Sequence, residues 1–283
     1  MAPTQTQSRT TTDTARALLD ARYGADEAPA GVLLTETIAG LLNHRSVRAF
    51  SARPLPEGVI ETLAAAAQSA PSSSNLQVFS VVAVEKPETK ARLAEIAGGQ
   101  KHVAEAPLVL VWLADLARLE EIGRRAGAPT DALAFLETLF VGLIDAALAA
   151  QNALVALESL GLGGVFIGAL RNRPEEAAQL LGLPPNVLAV FGLCVGYPDP
   201  DRPAQVKPRL SQRLVVHRER YDASLPQDAL DAYESALKAF QEDQNMPVVG
   251  WAGTALNRVR GAQSLSGRDR MRAALTALGF GLR

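Results

Sequence analysis

The sequence predicts an α+β fold, a central mixed or antiparallel sheet flanked by helices, and three observations carry that reading. Four short apolar runs bounded by polar turns read as buried strands. Capped helical segments lie between and after them. One long segment, Leu139 to Leu157, is apolar on every side, which places it at the centre of a fold or at a subunit interface. The chain has 283 residues, 48% hydrophobic and 20% charged, enough for a real core in one or two domains.

Residues 1–32 form a polar extension with one short amphipathic helix around Thr12–Tyr23, read as a partly ordered tail in preference to a docking arm, and Ala28-Pro29-Ala30-Gly31 is its linker. Residues 33–283 form a single domain, helical from about 222 onward. Leu33–Asn43 and Pro56–Ser69 read as helices. Val78–Val84 is a strand, Pro87–Ala97 a helix and Leu108–Leu113 a second strand. A long helix is expected over Thr130–Leu160, capped by Thr130 or Asp131. Val165–Gly168 and Val187–Val195 are the third and fourth strands, with the helix Pro174–Leu181 between them, closed by Gly182. Leu214–His217 is a candidate fifth strand, and Asp228–Gln241 and Arg268–Leu278 are late helices.

Several functions are disfavoured at once. With 28 basic and 30 acidic residues there is no field to attract nucleic acid. One cysteine, Cys194, excludes an internal disulfide and a CxxC site, and three scattered histidines argue against a metal centre. Cys194 reads as a small hydrophobe rather than a redox thiol, and Asp145 as a satisfied interface polar group rather than a catalytic acid. The apolar stretch around Asp145 is read against a membrane span, because a mid-span Asp costs about 2.5–3.5 kcal/mol. Met1–Glu27 has no apolar signal region, so a soluble cytoplasmic protein is expected. P-loop, HExxH and GxSxG motifs are absent from the sequence. Gly161, Gly163, Gly164 and Gly168 lie where a helix ends and a strand begins, the reverse of a dinucleotide loop, so they do not form one.

Four clusters remain. His44-Arg45-Ser46-Val47-Arg48 suits a phosphate monoester, or is a solvated basic helix end. Lys207-Pro208-Arg209 is a second cationic pair, or an exposed turn. Pro71-Ser72-Ser73-Ser74-Asn75-Leu76-Gln77 allows hydroxyls and backbone to approach a flat ligand, or is a bland connection. Gly98-Gly99-Gln100-Lys101-His102 is a loop with an amide at its centre.

Taken in order with AQNALVALESLGLGGVFIG, LRN, FGLCVG and KPRL, these strings resemble the FMN-dependent nitroreductase family. The likeness runs from about Thr35 to Tyr221 and is narrowest with the NADPH-dependent oxygen-insensitive nitroreductase and flavin reductase branch. The resemblance implies FMN as cofactor and NADPH as reductant, with NADH as the alternative. It implies that His44, Arg45, Ser46 and Arg48 meet the FMN phosphate and the ribityl and pyrimidine side. Ser72, Ser73 and Ser74 would stand beside the isoalloxazine, with Gln100 on its polar edge. Phe166, Ile167, Gly168 and Ala169 would bring backbone to the flavin O4 and N5, and Lys207 and Arg209 would form the second phosphate clamp. No side-chain acid or base is demanded, because the cofactor carries the chemistry.

The activity that the resemblance implies is the passage of hydride from NADPH through FMN to nitroaromatics, quinones or flavins by a ping-pong mechanism. The alternatives are a flavin reductase serving a monooxygenase and a non-catalytic flavin store. The family's build and the long apolar helix together imply a homodimer. The chain departs from the family's pattern at Asn75, at Ala169, in the N-terminal extension and in Asp243–Gly253, which lacks the arginines expected for a nicotinamide 2′-phosphate. Residues 257–283 instead hold six arginines against one acid, Asp269.

Overall fold

The computed structural model describes residues 16–283, so the start of the expected N-terminal helix, Thr12–Ala15, lies outside the described residues. The helices are α1 (residues 16–23), α2 (Glu36–Leu42), α3 (Val59–Gln68), α4 (Pro87–Ile96), α5 (Lys101–Glu105) and α6 (Ala117–Ala126). They continue with α7 (Leu136–Ser159), α8 (Pro174–Leu181), α9 (Gln227–Asp243), α10 (Gly250–Val259) and α11 (Met271–Ala277). The strands are β1 (Phe79–Val84), β2 (Leu108–Asp115), β3 (Gly163–Ile167) and β4 (Val187–Gly196). Among the described residues two compact units emerge, one of residues 16–45 and 205–260, the other of 46–204 and 261–283.

The larger unit carries the sheet, in the order β1-β2-β4-β3 with every named pair antiparallel. Ser46 adds an isolated parallel bridge to Gly164. The central strand β2 is apolar on both faces, as the run LVLVWL requires. Val109, Val111 and Leu113 join Leu93, Val103, Ile167 and Leu170 on one side. Leu108, Leu110 and Trp112 join Leu63, Leu154 and Leu157, on α3 and α7, on the other. Burial of one such side chain is worth about 1.5–3 kcal/mol, so this double-sided core holds the unit together.

The helix α7 is long and apolar enough to cross a membrane, yet its Leu139, Ala146, Ala149, Ala150, Ala153, Leu154 and Leu157 are buried within this unit. It begins at Leu136, later than the sequence pattern suggested. Asp131–Ala134 is a separate 3₁₀ turn, and Phe135, with φ −92° and ψ 147°, is extended and breaks the run. Thr138 then anchors the helix start by donating to Ala132 O at 2.7 Å.

Other expectations need correction. Val215–His217 forms no strand: Gln212–Leu214 is a 3₁₀ turn, and Val215 and Val216 are exposed. The late helix at 268 is a 3₁₀ turn over Arg268–Arg270 followed by α11. The 98–102 loop is shorter than read, because Gly98 and Gly99, with φ 79° and 78°, turn directly into α5. Three helices escaped the pattern: α5, α6 and α10.

In the smaller unit, α10 has no capping side chain of its own. Its first amides, Trp251 and Ala252 N–H, donate to Glu234 Oε2 on α9 at 2.8 and 3.1 Å. Gln241, also on α9, accepts from Val249 and Gly250 N–H at 3.1 and 2.9 Å. These bonds hold the Glu234 carboxyl below its ordinary range, chiefly through the Ala252 amide. Leu19 of α1 is buried, as are Ala229, Tyr233 and Leu237 of α9.

Candidate functional site

In the larger unit, the chain from Ser46 to Ser51 runs alongside the end of β3 and β4. Val47 N–H donates to Gly164 O at 3.0 Å, and Ser51 N–H to Tyr197 O at 2.9 Å. The approach is close because glycines clear the way. A Cβ on Gly163 would lie 2.5 Å from Val47, and one on Gly196 would lie 2.7 Å from the Phe50 ring. Gly163 and Gly164, two of the glycines that resemble a nucleotide loop, are therefore part of the seat of this segment. With Val47 buried, extended backbone turns Ser46 and Arg48 to the opposite side, and Arg48 is exposed. Its charge contributes, after burial, to holding the His102 imidazole below its ordinary pKa, so His102 is neutral near pH 7.

The serine loop is set by Asp145, buried on α7. Ser72 donates its hydroxyl proton to Asp145 Oδ2 at 2.6 Å, and the same oxygen accepts from Val78 N–H at 3.0 Å. Ser72 Oγ in turn accepts from Gln77 N–H at 2.8 Å. The Ser72 hydroxyl is thus engaged inside the loop, while Ser73 and Ser74 are exposed. Ser74, Asn75 and Gln77 stand in the left-handed region at φ 49°, 55° and 51°. Each such residue without glycine's freedom costs about 1–2 kcal/mol. Asn tolerates that conformation best, which accounts physically for Asn75 where a bulkier residue was expected. Arg118 of α6 closes the loop's exit, donating to Gln77 O at 2.8 Å and Phe79 O at 3.0 Å.

Gln100 immediately precedes α5; its side chain makes no bond to the helix's amides and instead donates through Nε2 to Ala97 O at 2.9 Å. Phe166 is 38% exposed on a strand whose other residues are buried, and its ring meets Phe191 edge to face at 5.2 Å. Ile167 is buried. Gly168 and Ala169 open a 3₁₀ turn whose Arg171 donates to Val190 O. A pair of apolar rings, a strained polar loop and a strand end are features that suit a flat heterocycle.

The smaller unit holds the remaining cations. His44 and Arg45 come just after α2, and Arg45 folds back onto Asn43 Oδ1 at 2.6 Å. Arg209 reaches Lys207 O and Pro208 O at 3.4 and 3.2 Å, and Lys207 Nζ lies 5.7 Å from the centre of the Phe240 ring. The two segments are brought together by Arg22 of α1, a residue the sequence did not single out. Its guanidinium donates to Leu42 O at 2.6 Å, His44 O at 2.9 Å and Lys207 O at 2.9 Å. Nothing in the sequence marks these bonds, because every acceptor is a backbone carbonyl.

This is the arrangement of motifs that two family descriptions match: the nitroreductase family over residues 41–197, and its C-terminal domain over residues 207–283. The chain belongs to the nitroreductase family. It is 37% identical over 230 residues to an NADPH-flavin oxidoreductase of Vibrio harveyi, covering 81% of this chain and 92% of that one. It is 42% identical over 207 residues to an oxygen-insensitive NADPH nitroreductase of Salmonella typhimurium, covering 73% and 83%. Among solved structures, NfrA2 of B. megaterium superposes with a TM-score of 0.82 at 33% identity, over 88% of this chain and all of that one.

Within this nitroreductase-family chain, α1 lies before the first residue that the family description matches. The C-terminal arginines are not equivalent. Arg270 is held by Glu175 through two bonds of 2.6 and 2.7 Å, and Arg268 Nε donates to Leu265 O at 3.1 Å. Cys194 is fully buried and its thiol is pushed up to about 12 by desolvation, so it acts as a small hydrophobe.

Proposed function

We propose that this NAD(P)H-dependent FMN oxidoreductase takes its electrons from NADPH, with NADH as the alternative, and passes them to nitroaromatics, quinones or free flavins. The observation that carries the reading is the gathering of two cationic segments, 42–45 and 207–209, around one guanidinium within a single compact unit. Four basic side chains, His44, Arg45, Lys207 and Arg209, suit a phosphate monoester of nearly two negative charges. The backbone bonds of Arg209 are long, and charge-assisted bonds to phosphate are shorter and stronger, so the exchange is favourable.

When bound, FMN supplies the redox chemistry itself. The chain's residues hold and shape. Ser46 and Arg48 would address the ribityl and pyrimidine side. Ser73, Ser74 and Gln100 would offer polar groups to the ring edge, with Ser72 fixing the loop behind them. Phe166 and the backbone from Ile167 to Ala169 would line the ring. With one side of the ring lined by these residues, the open side would admit one substrate at a time, as ping-pong turnover requires. Mixing purified protein with NADPH anaerobically tests this: the yellow absorbance should bleach and return on adding a quinone. A protein that stays yellow is a flavin store instead.

A second reading is a flavin reductase for a partner monooxygenase; the similarity to an NADPH-flavin oxidoreductase of Vibrio harveyi supports flavin as the acceptor. Rates across a quinone, a nitroaromatic and free FMN separate the two.

The proposal includes a soluble cytoplasmic homodimer acting on small molecules. Phe140, Ile144 and Leu148 stand at i, i+4 and i+8 on α7 and are exposed by 49%, 56% and 40%. An apolar row of that kind, on a helix whose other face is buried in the core, calls for a cover. A monomeric mass at micromolar concentration with FMN bound would remove the dimer.

A further inference from the structure

We propose that Arg22, on α1, is a positioning residue for the phosphate end of the flavin site. The inference rests on the FMN reading above and adds to it a group from outside the span that the family descriptions match. Arg22 is 5% exposed, so its bonds are not readily exchanged for water. Its guanidinium is a rigid planar fork with five donors, suited to spanning several fixed acceptors at once. Here it spans carbonyls 185 positions from itself on one side and 20 and 22 on the other. The grip is closed in the reverse sense too, since Arg209 N–H donates to Arg22 O at 2.7 Å.

The two contacts on the later segment fall on either side of Pro208, which is buried. Proline fixes its own φ and holds Lys207 extended. Binding Lys207 O and Arg209 N–H therefore fixes the direction in which both cationic side chains leave the backbone. On the earlier segment, Leu42 O and His44 O flank the turn out of α2, so the same guanidinium fixes where His44 and Arg45 begin. One side chain thus sets the spacing between two clusters that have no sequence proximity. Lysine could not substitute fully, because its donors radiate from a single nitrogen and cannot span three separated carbonyls.

The test uses full-length wild type, Arg22→Ala and Arg22→Lys, each stripped of flavin and titrated with FMN and with riboflavin by fluorescence quenching. Riboflavin lacks the phosphate, so it reports everything except the clamp. Arg22→Ala should bind FMN about 10- to 100-fold more weakly while riboflavin affinity stays within about twofold, and Arg22→Lys should fall between. If Arg22→Ala does not fold, the FMN-to-riboflavin preference of Arg22→Lys decides: a reduced preference supports the proposal. An unchanged preference in the folded variants, or equal loss of both ligands, overturns it while leaving the FMN assignment standing. A wild type with no preference for FMN over riboflavin removes the phosphate clamp itself, and the role of Arg22 with it.

Discussion

The two compact units hold their candidate residues by different means. In the larger one, the serine loop, Phe166 and the strand end rest on a sheet buried on both faces and on a helix of 24 residues. In the smaller one, His44, Arg45, Lys207 and Arg209 lie on short or irregular segments tied by a few polar bonds to one guanidinium. Packing is redundant, since losing one contact leaves many others. A polar tie is not. Changes in the larger unit should therefore appear first as lost stability, and changes in the smaller unit as lost ligand affinity.

Arg209→Ala gives the largest expected effect and the sharpest trial of that contrast. Truncating one partner of a charged pair typically costs about 2–5 kcal/mol, so the purified variant should lose most of its colour while the flavin-free protein melts near the wild-type temperature. Arg48→Ala is the exception within the larger unit, because its exposed side chain carries none of the core: it should lower flavin occupancy, and full occupancy in both variants would mean that the cationic sites are misassigned. Asp145→Ala should behave in the opposite way. It leaves Ser72 Oγ–H and Val78 N–H without their acceptor, at about 1–3 kcal/mol for each buried donor. A clear drop in melting temperature is expected; unchanged stability with lost flavin would break the contrast. Gly163→Ala should cost about 1–3 kcal/mol, because the new methyl meets Val47 at 2.5 Å.

The smallest effect is electrostatic. Arg270 holds the Glu175 carboxyl below its ordinary value of 4.5. A carboxylate depressed in the folded state stabilises the protein above its unfolded pKa, and that contribution is lost as pH falls from about 4.5 through the lower folded value. The pair is largely exposed, so the loss should stay under about 1 kcal/mol. Glu175→Gln should flatten the acid limb of a melting-temperature profile slightly, and an unaltered limb would show that the pair contributes nothing.

The strands were the most legible part of the sequence. VFSVVAV and LVLVWL are apolar runs between polar turns, and β1 and β2 lie within two residues of them. Pro174 and Gly182 marked α8 because both act through their own backbone, and Gly182 has φ 64°. Helix α10 was hidden because its N-terminal acceptors sit on α9, as Glu234 and Gln241. Helix α6, ARLEEIGRRA, has too little apolar surface to announce itself. The start of α7 was misplaced because Phe135 reads as one more apolar residue while its backbone is extended. At the candidate site, motif strings named the residues that would face a ligand. Asp145 was read only as a satisfied polar group, without its Ser72 and Val78 partners, and Arg22 was not read at all, because the work of both is done on backbone and on other side chains.

Glu234 has a further consequence for motion. The first amides of α10 are protected by a carboxylate that keeps its place only while α9 is wound. Opening of α9 therefore exposes the start of α10 at the same moment, and the two helices exchange their amide hydrogens as one cooperative unit. In deuterium exchange, the Trp251 and Ala252 amides should track the rate of the middle of α9, whereas a helix capped by its own preceding side chain would fray on its own schedule.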